Sequence, residues 1–424
     1  MAFMNILTKA FQEITFDDVV ECCRAETLES AVLDYKKSMP GDLSKHFATF
    51  SNTHGGLIII GVEEDSVTGK PKTYEGIVFD GKLIDQVHQF ASNVSPFPRY
   101  EVRATDEKAG KIFLLVKIFE GDQPPYMSNS DSTIRLRTGN ISTPLRNADS
   151  RELEKLHEKK ARAQVLRQDA LASSDLIYRA ALDRAIGEWK EKRQLDPSSV
   201  SKHEPAEIES PFRVTIMPIS PSEAIVNYRF IKDKLDEYRV RTRFYRDFPE
   251  LNVETMPGGI MFAAWSWIDS DFRYGEVTEK GVIDSVVDVL SADPTKGIRQ
   301  IAMGHMVSNL VRQLEVAKKF YNLIGFNGLL TCRISLDKAK GVAVYGPLPD
   351  GWQRSSFGSG SELTKLGSYE WEVANLDTVK LNDIESLSTE VLETVERFYW
   401  DFGMHTPNKD MLKEYLKQQG WKTP

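Results

Sequence analysis

Two short stretches hold the residues whose types and spacing could do chemistry. The first, Glu29-Ser30-Ala31-Val32-Leu33-Asp34-Tyr35-Lys36, places two acids and a lysine close together. The second begins at Asn52-Thr53-His54-Gly55-Gly56, continues through an apolar run from Leu57 to Val62, and ends in Glu63-Glu64-Asp65. If Val32 to Lys36 is a strand, Val32, Asp34 and Lys36 share one face while Leu33 and Tyr35 take the other. Carboxylates crowded on one side repel unless a divalent cation or a proton lies between them. A cation held in that way can bind a phosphodiester and activate water. Each acid also has a plainer reading. Strand-end acids are more often solvated loop residues than ligands, Glu29 can support a turn, and Asp34 with Lys36 can be a surface ion pair of little energetic value.

These residues need elements to position them. Leu57 to Val62 reads as a fully buried strand, and Gly55-Gly56 lets the backbone turn tightly before it. Thr15 or Asp17 can cap a helix over Thr15 to Ala25, whose stripe of Val19, Val20, Cys22 and Cys23 braces the first stretch. A second helix starts at Asp42 and runs through Phe47 and Phe50 to the glycine turn. Leu83 to Val94 has helical spacing and stops before Pro96. Tyr100 to Ala104 and Lys111 to Ile118 read as a strand pair. In Thr133 to Arg137 the alternation puts Arg135 and Arg137 on one face as candidate phosphate contacts, with Arg146 extending the patch. Gly61 to Pro71 has glycines followed by a lysine, but the glycines are too far apart and Pro71 replaces the required Ser or Thr, so a phosphate-binding loop is rejected.

The ordered set Glu-Ser-x3-acid-aromatic-Lys, a helix ending Ser-Asn-Thr-x-Gly-Gly, and an apolar strand ending Gly-Val-acid-acid resembles the Schlafen-type AlbA-like domain. Pro124-Pro125-Tyr126 and Thr133-Ile134-Arg135 resemble the later elements of that domain. The resemblance covers about a third of the chain. It implies nucleic-acid binding and, in the nuclease members, a three-carboxylate site that cuts RNA, notably tRNA, with Mg²⁺ or Mn²⁺. The matching positions are Glu29, Asp34 and Glu64 as metal ligands, with Lys36 completing the catalytic set. Asp34 stands where the nuclease members usually carry Glu, and Glu64 where they usually carry Asp. Each exchange moves a carboxylate by about one methylene, and a misplacement of about 1 Å is costly in catalysis.

Bulk properties frame the rest. The chain has 424 residues, 41% of them hydrophobic and 27% charged, an ordinary globular composition with room for more than one domain. A net charge of -8 argues against a generally basic surface, so nucleic-acid contacts must be local. Cys22, Cys23 and Cys332 are too few for a disulfide framework or a zinc site. With no charged leader and no apolar stretch of spanning length, a cytoplasmic protein with no membrane segment is expected. The seven histidines show no ligand spacing.

Ser150 opens a charged helix carrying Lys159, Lys160, Arg162 and Arg167, readable as a solvated connector or as a basic flank that tracks RNA. A second helix through Leu176, Tyr178, Ala181, Ala185 and Trp189 follows, then a Ser-, Pro- and Glu-rich linker from Asp196 to Pro211. Beyond it come strand candidates at 212–219, 240–245, 259–267, 272–277 and 282–290, a long amphipathic helix over Ile301 to Leu323, and a hairpin joining Leu329–Leu336 to Val342–Tyr345. Asp350 to Gly360 reads as a recognition loop, and two helices close the chain. The expected fold class is α+β: a Schlafen AlbA-like mixed sheet with helices at 1–157, a helical connector and linker at 158–210, and a second α+β domain for sensing or oligomerisation at 211–424.

The function expected from the resemblance is a metal-dependent endoribonuclease acting on tRNA or another structured RNA. Glu29, Asp34 and Glu64 would hold Mg²⁺ or Mn²⁺, Lys36 would face the developing charge, and Arg135, Arg137, Lys159, Lys160 and Arg162 would contact nucleic acid. Such an activity suits a toxin or anti-phage effector working as a homodimer, with a protein trigger sensed by the second domain. The alternative is a non-catalytic regulator that binds RNA or DNA through the same domain, with salt-sensitive and metal-indifferent affinity. A third possibility is a protein-binding scaffold.

Overall fold

The computed structural model describes residues 6–7, 9–65, 68–138, 141–145, 150–196, 211–221, 224–240, 248–249, 253–265, 272–293, 298–340, 342–345, 367–373, 376–402 and 409–418. Arg146, His203, His405, most of the linker and the Asp350 to Gly360 loop lie outside them. The chain divides into two units, Met1–Val165 with Gly325–Leu329, and Leu166–Ile324 with Leu330–Pro424. Both are α+β in composition, as the sequence implies.

In the first unit, helix α1 (Phe16–Arg24) opens on a capping box: Thr15 accepts from the Asp18 amide, and Asp18 accepts from the Thr15 amide. Strand β1 (Leu33–Lys36), helix α2 (Ser44–Asn52) and strand β2 (Gly56–Ile60) follow. Then come helix α3 (Lys82–Ser92), strand β3 (Tyr100–Ala104) and strand β4 (Leu114–Ile118). The sheet order is β1-β2-β4-β3, with β1 and β2 parallel and the other pairs antiparallel. β2 sits inside this sheet, which explains its unbroken apolar run: Ile58, Ile59 and Ile60 are all buried.

Alternation in β1 splits its side chains as expected. Leu33 and Tyr35 join Leu57, Ile59, Val19 and Cys23 in one core cluster beside α1. Asp34 and Lys36 therefore point to the α2 side. The glycine turn is sterically required. Gly55 adopts φ +69°, and a Cβ there would lie 2.5 Å from the Ile118 carbonyl oxygen; one on Gly56 would lie 2.3 Å from the Phe50 ring.

Where two helices are expected after Ser150, one continuous helix α4 (Ser150–Leu195) forms. The reason is that no proline or glycine breaks the pattern before Gly187, so two amphipathic stretches join end to end. Its residues up to Val165 belong to the first unit and those from Leu166 to the second.

The second unit is built on a seven-stranded antiparallel sheet. Its strands run in the order Glu254–Met256, Gly259–Trp265, Phe272–Thr278, Ile283–Asp288, Pro211–Pro218, Leu330–Leu336 and Tyr369–Val373. In chain order we call Pro211–Pro218 β5, Ile283–Asp288 β6, Leu330–Leu336 β7 and Tyr369–Val373 β8. Helix Met303–Leu323 lies against β5 and β6, and helix Ile384–Asp401 against β8. The expected hairpin between Leu329–Leu336 and Val342–Tyr345 does not form. β7 pairs with β5 and β8, while Ala343–Tyr345 pairs in parallel with Ile298–Ala302, a strand that the helical reading from Ile301 partly absorbed. Apolar runs pair with whichever edge the tertiary arrangement offers, and sequence proximity did not decide it. Among the described residues no helix is long and apolar enough to cross a membrane.

Candidate functional site

The site is organised by the β1–α2–β2 crossover. Because β1 and β2 are parallel, α2 must cross back over the sheet, and it crosses on the face that carries Asp34 and Lys36. Asp34 is the hub. Its Oδ2 lies 2.8 Å from Lys36 Nζ and 3.5 Å from His46 Nε2, and its Oδ1 lies 3.5 Å from an Arg137 guanidinium nitrogen. Only 4% of its side chain is exposed.

Glu29 reaches the same place from the turn before β1. Its Oε1 accepts the Tyr35 amide hydrogen at 2.7 Å, and its carboxyl lies close enough to that of Asp34 for the two charges to act on each other. Two carboxyls in contact cannot both ionise cheaply. Burial, reinforced by Asp34, pushes Glu29 up to about 8. Burial acts on Asp34 in the same sense, but Lys36, the neighbouring Glu29 carboxyl and His46 outweigh it and hold Asp34 below the usual carboxylate range. Of the two, Glu29 is therefore the carboxyl that holds a proton more readily. Burial, with Lys36 and Arg137 nearby, lowers His46 below its ordinary value despite Asp34, so its imidazole is neutral there.

Glu64 lies on a segment that packs against β1. It lies on a two-stranded hairpin, Glu63–Glu64 against Pro71–Thr73, with a register irregularity between the two glutamates. Its neighbour Glu63 pairs with Lys37 at 3.1 Å and accepts from the Thr73 hydroxyl at 3.0 Å. Among the described residues no three His, Cys, Asp or Glu side chains form a group able to hold a metal ion. Glu29 and Asp34 offer hard oxygens, but Glu64 does not complete a set with them, and Lys36 already occupies the Asp34 Oδ2 side. As arranged, the residues do not fit the three-carboxylate ion site implied by the resemblance.

The basic candidates divide by burial. Arg137, expected on a surface that meets phosphate, is 1% exposed along its side chain. It donates to the carbonyls of Ser30 at 2.9 Å and Leu33 at 3.1 Å, and its guanidinium lies 4.5 Å from the Phe50 ring centroid. Its strand (Arg135–Thr138) pairs with Ile141–Pro144 and packs on α2, so the alternation that should expose Arg137 turns it inward. Arg135 forms a two-pronged pair with Asp131, at 2.7 and 2.9 Å. Lys159 pairs with Glu120 at 2.5 Å, while Lys160 and Arg162 are exposed on α4.

Residues 29–146 match the family model described as Schlafen, AlbA_2. The chain carries a Schlafen AlbA-like domain. No curated protein matches the chain. Among solved structures, the DIP2311 protein from Corynebacterium diphtheriae is similar at 14% identity, covering 72% of this chain and 71% of that one, with a TM-score of 0.25. Within the Schlafen domain, motif residues that look unrelated in sequence are joined by one side chain. Asn52 Nδ2 donates to the carbonyls of Tyr126 at 2.8 Å and Arg135 at 3.0 Å, and its Oδ1 accepts the Tyr126 amide hydrogen at 2.7 Å. Sequence reasoning did not give His46 a role. Its only signal is its position in the first turn of the helix that follows the acid-aromatic-lysine strand.

Proposed function

We propose that the Schlafen domain cleaves RNA phosphodiesters at the Glu29–Asp34–Lys36 cluster. The domain type supports a nucleic-acid-related function. The observation that carries the chemistry is the convergence of Glu29, Asp34 and Lys36: Glu29 is held on the Tyr35 amide at 2.7 Å, and Asp34 Oδ2 lies 2.8 Å from Lys36 Nζ. A group titrating near working pH is the most effective general acid or base, and Glu29, pushed up to about 8, meets that condition. Glu29 is half-buried and Lys36 keeps a quarter of its side chain exposed, so both can reach a substrate. A water molecule would form the new bond to phosphorus and lose a proton to solvent as the bond to the leaving oxygen breaks, Glu29 would give its proton to that oxygen, and Lys36 would face the charge growing on the phosphate. Asp34, enclosed behind them, positions Lys36 and keeps the proton on Glu29. tRNA is the favoured substrate by resemblance, and a defence effector acting as a dimer is the setting that fits it.

One observation favours a second reading. The charge of Asp34 is already answered by Lys36 and Arg137, as in a domain that binds nucleic acid without cutting it. Binding would then run through exposed groups such as Lys160 and Arg162 and weaken steeply with salt.

The test is incubation of the purified protein with total tRNA and with single-stranded DNA, in Mn²⁺, Mg²⁺ or EDTA, beside Glu29→Gln, Asp34→Asn and Glu64→Gln. Discrete RNA fragments that disappear with Glu29→Gln support the nuclease. Salt-sensitive binding without cleavage, unchanged by Glu29→Gln, supports the regulator and overturns the first reading.

A further inference from the structure

The second unit contains a cavity of about 230 Å³ where α4 leaves the sheet. Its floor is the β5–β7 face. Alternation puts Arg213 and Thr215 of β5 beside Arg333 and Ser335 of β7, in the register Arg213↔Ser335 and Thr215↔Arg333. Further along the same face, Tyr178, Ala181, Ala185 and Trp189 of α4 pack on Phe272, Tyr274 and Val286 and close it. Over β7 and β8 that apolar cover ends, and the cavity opens.

Beneath the cavity lies a buried charged network. The Arg213 guanidinium meets Asp284 through Nε at 2.9 and 3.0 Å and also pairs with Asp175 of α4. Asp284 accepts from the Thr215 hydroxyl at 2.7 Å, and Ser174 bridges Asp284 to Glu276, which also accepts from Tyr274 at 2.5 Å. Buried ion pairs of this kind are rarely more stabilising than well-packed apolar residues. Their consequence here is geometric: Arg213 and Asp175 are fixed, and the helix is pinned at a set height above the sheet.

Arg179, Arg333, Asp337 and Glu370 also line the cavity. Arg333 and Glu370 pair with each other. Arg179 and Asp337 are exposed at the cavity, and among the described residues their side chains have neither a hydrogen-bond nor an ion-pair partner in the protein. With Arg213 and Asp175 the lining carries three cations and three anions, so it balances. A balanced cavity with an unanswered cation and an unanswered anion is complementary to a small molecule bearing one charge of each sign. A net anion such as a nucleotide would leave the acids unanswered at the cost of like-charge repulsion.

We infer that this cavity binds a free amino acid, its carboxylate held by Arg179 and its ammonium by Asp337, beside the Tyr178 ring. The volume equals roughly eight waters at ~30 Å³ each, which suits a molecule of that size. The site gives the second unit a ligand-sensing role, independent of what the Schlafen domain does.

The experiment is isothermal titration calorimetry of the full chain with each free L-amino acid, and with the N-acetyl and carboxamide forms of any that bind. Arg179→Ala and Asp337→Asn are titrated in parallel, with circular dichroism to establish folding. The expected result is saturable binding of at least one free amino acid, weakened at least tenfold when either of its charged groups is capped and at least tenfold by each substitution. No saturable binding by any free amino acid overturns the inference. So does capped ligand binding as tightly as free, or unchanged affinity in both folded variants.

Discussion

Asn52 holds both sides of Tyr126: its side-chain oxygen accepts the Tyr126 amide hydrogen at 2.7 Å and its side-chain nitrogen donates to the Tyr126 carbonyl at 2.8 Å. The end of α2, the proline-tyrosine element and, through Arg135, the late hairpin thus close on one amide. The two bonds between Asn52 and Tyr126 are buried, so their alternative is an unmade hydrogen bond. Asn52→Ala is expected to destabilise the first unit by about 2–3 kcal/mol. Urea unfolding followed by Schlafen-domain tyrosine signals checks this; a loss within the error of the extrapolation would show that water replaces the clamp.

Arg137 bears on Asp34 in a comparable way. Arg137→Met keeps the packing on Phe50 but removes the buried guanidinium from Asp34 and two carbonyls. A cost of about 3–5 kcal/mol is expected, as for other buried charges left without a partner. Arg137→Lys should recover little of it, because an ammonium cannot reach the Ser30, Leu33 and Asp34 oxygens together. Denaturation midpoints of the two variants decide between these outcomes.

For cleavage, Glu29→Gln should lower the rate roughly 10²- to 10⁴-fold, the usual contribution of a positioned acid or base. Glu64→Gln should change it by less than about tenfold, since Glu64 stands on its own hairpin. Equal losses in both variants, measured in single-turnover assays, would mean that Glu64 joins the pair when substrate binds.

The pH dependence has a definite sign. Glu29 acts while protonated, so the rate should be sustained below about 8 and fall as pH rises through that value. In Asp34→Asn the falling limb should move to lower pH, because the neighbouring charge that raises Glu29 is gone. Stability follows the same group. Its folded value lies above its unfolded one, so its contribution is fully present below the ordinary carboxylate range and is lost as pH rises towards 8. Glu29→Gln should therefore gain stability relative to the parent across that interval. A constant difference between the two, in melting curves from pH 5 to pH 9, would sink the assignment.

Much of the first unit was legible in the sequence because its signals are local. A Thr-x-x-Asp box starts α1, an isoleucine run marks a buried strand, and two glycines permit a turn that no Cβ could enter. The facing of Asp34 and Lys36 follows from the strand period alone. What surrounds them does not. His46 reaches Asp34 only because a parallel β1–β2 pair forces α2 across that face, and Arg137 turns inward only because its hairpin packs on α2. That Glu64 joins no group of three potential metal ligands among the described residues depends on a two-residue pairing with Pro71–Thr73 that carries almost no sequence signal. In the second unit the strands announced themselves, but their partners did not, since β7 finds β5 across more than a hundred residues. Local preference fixes which residues share a face; only tertiary packing decides which faces meet, and with them which charges are answered and which keep a proton.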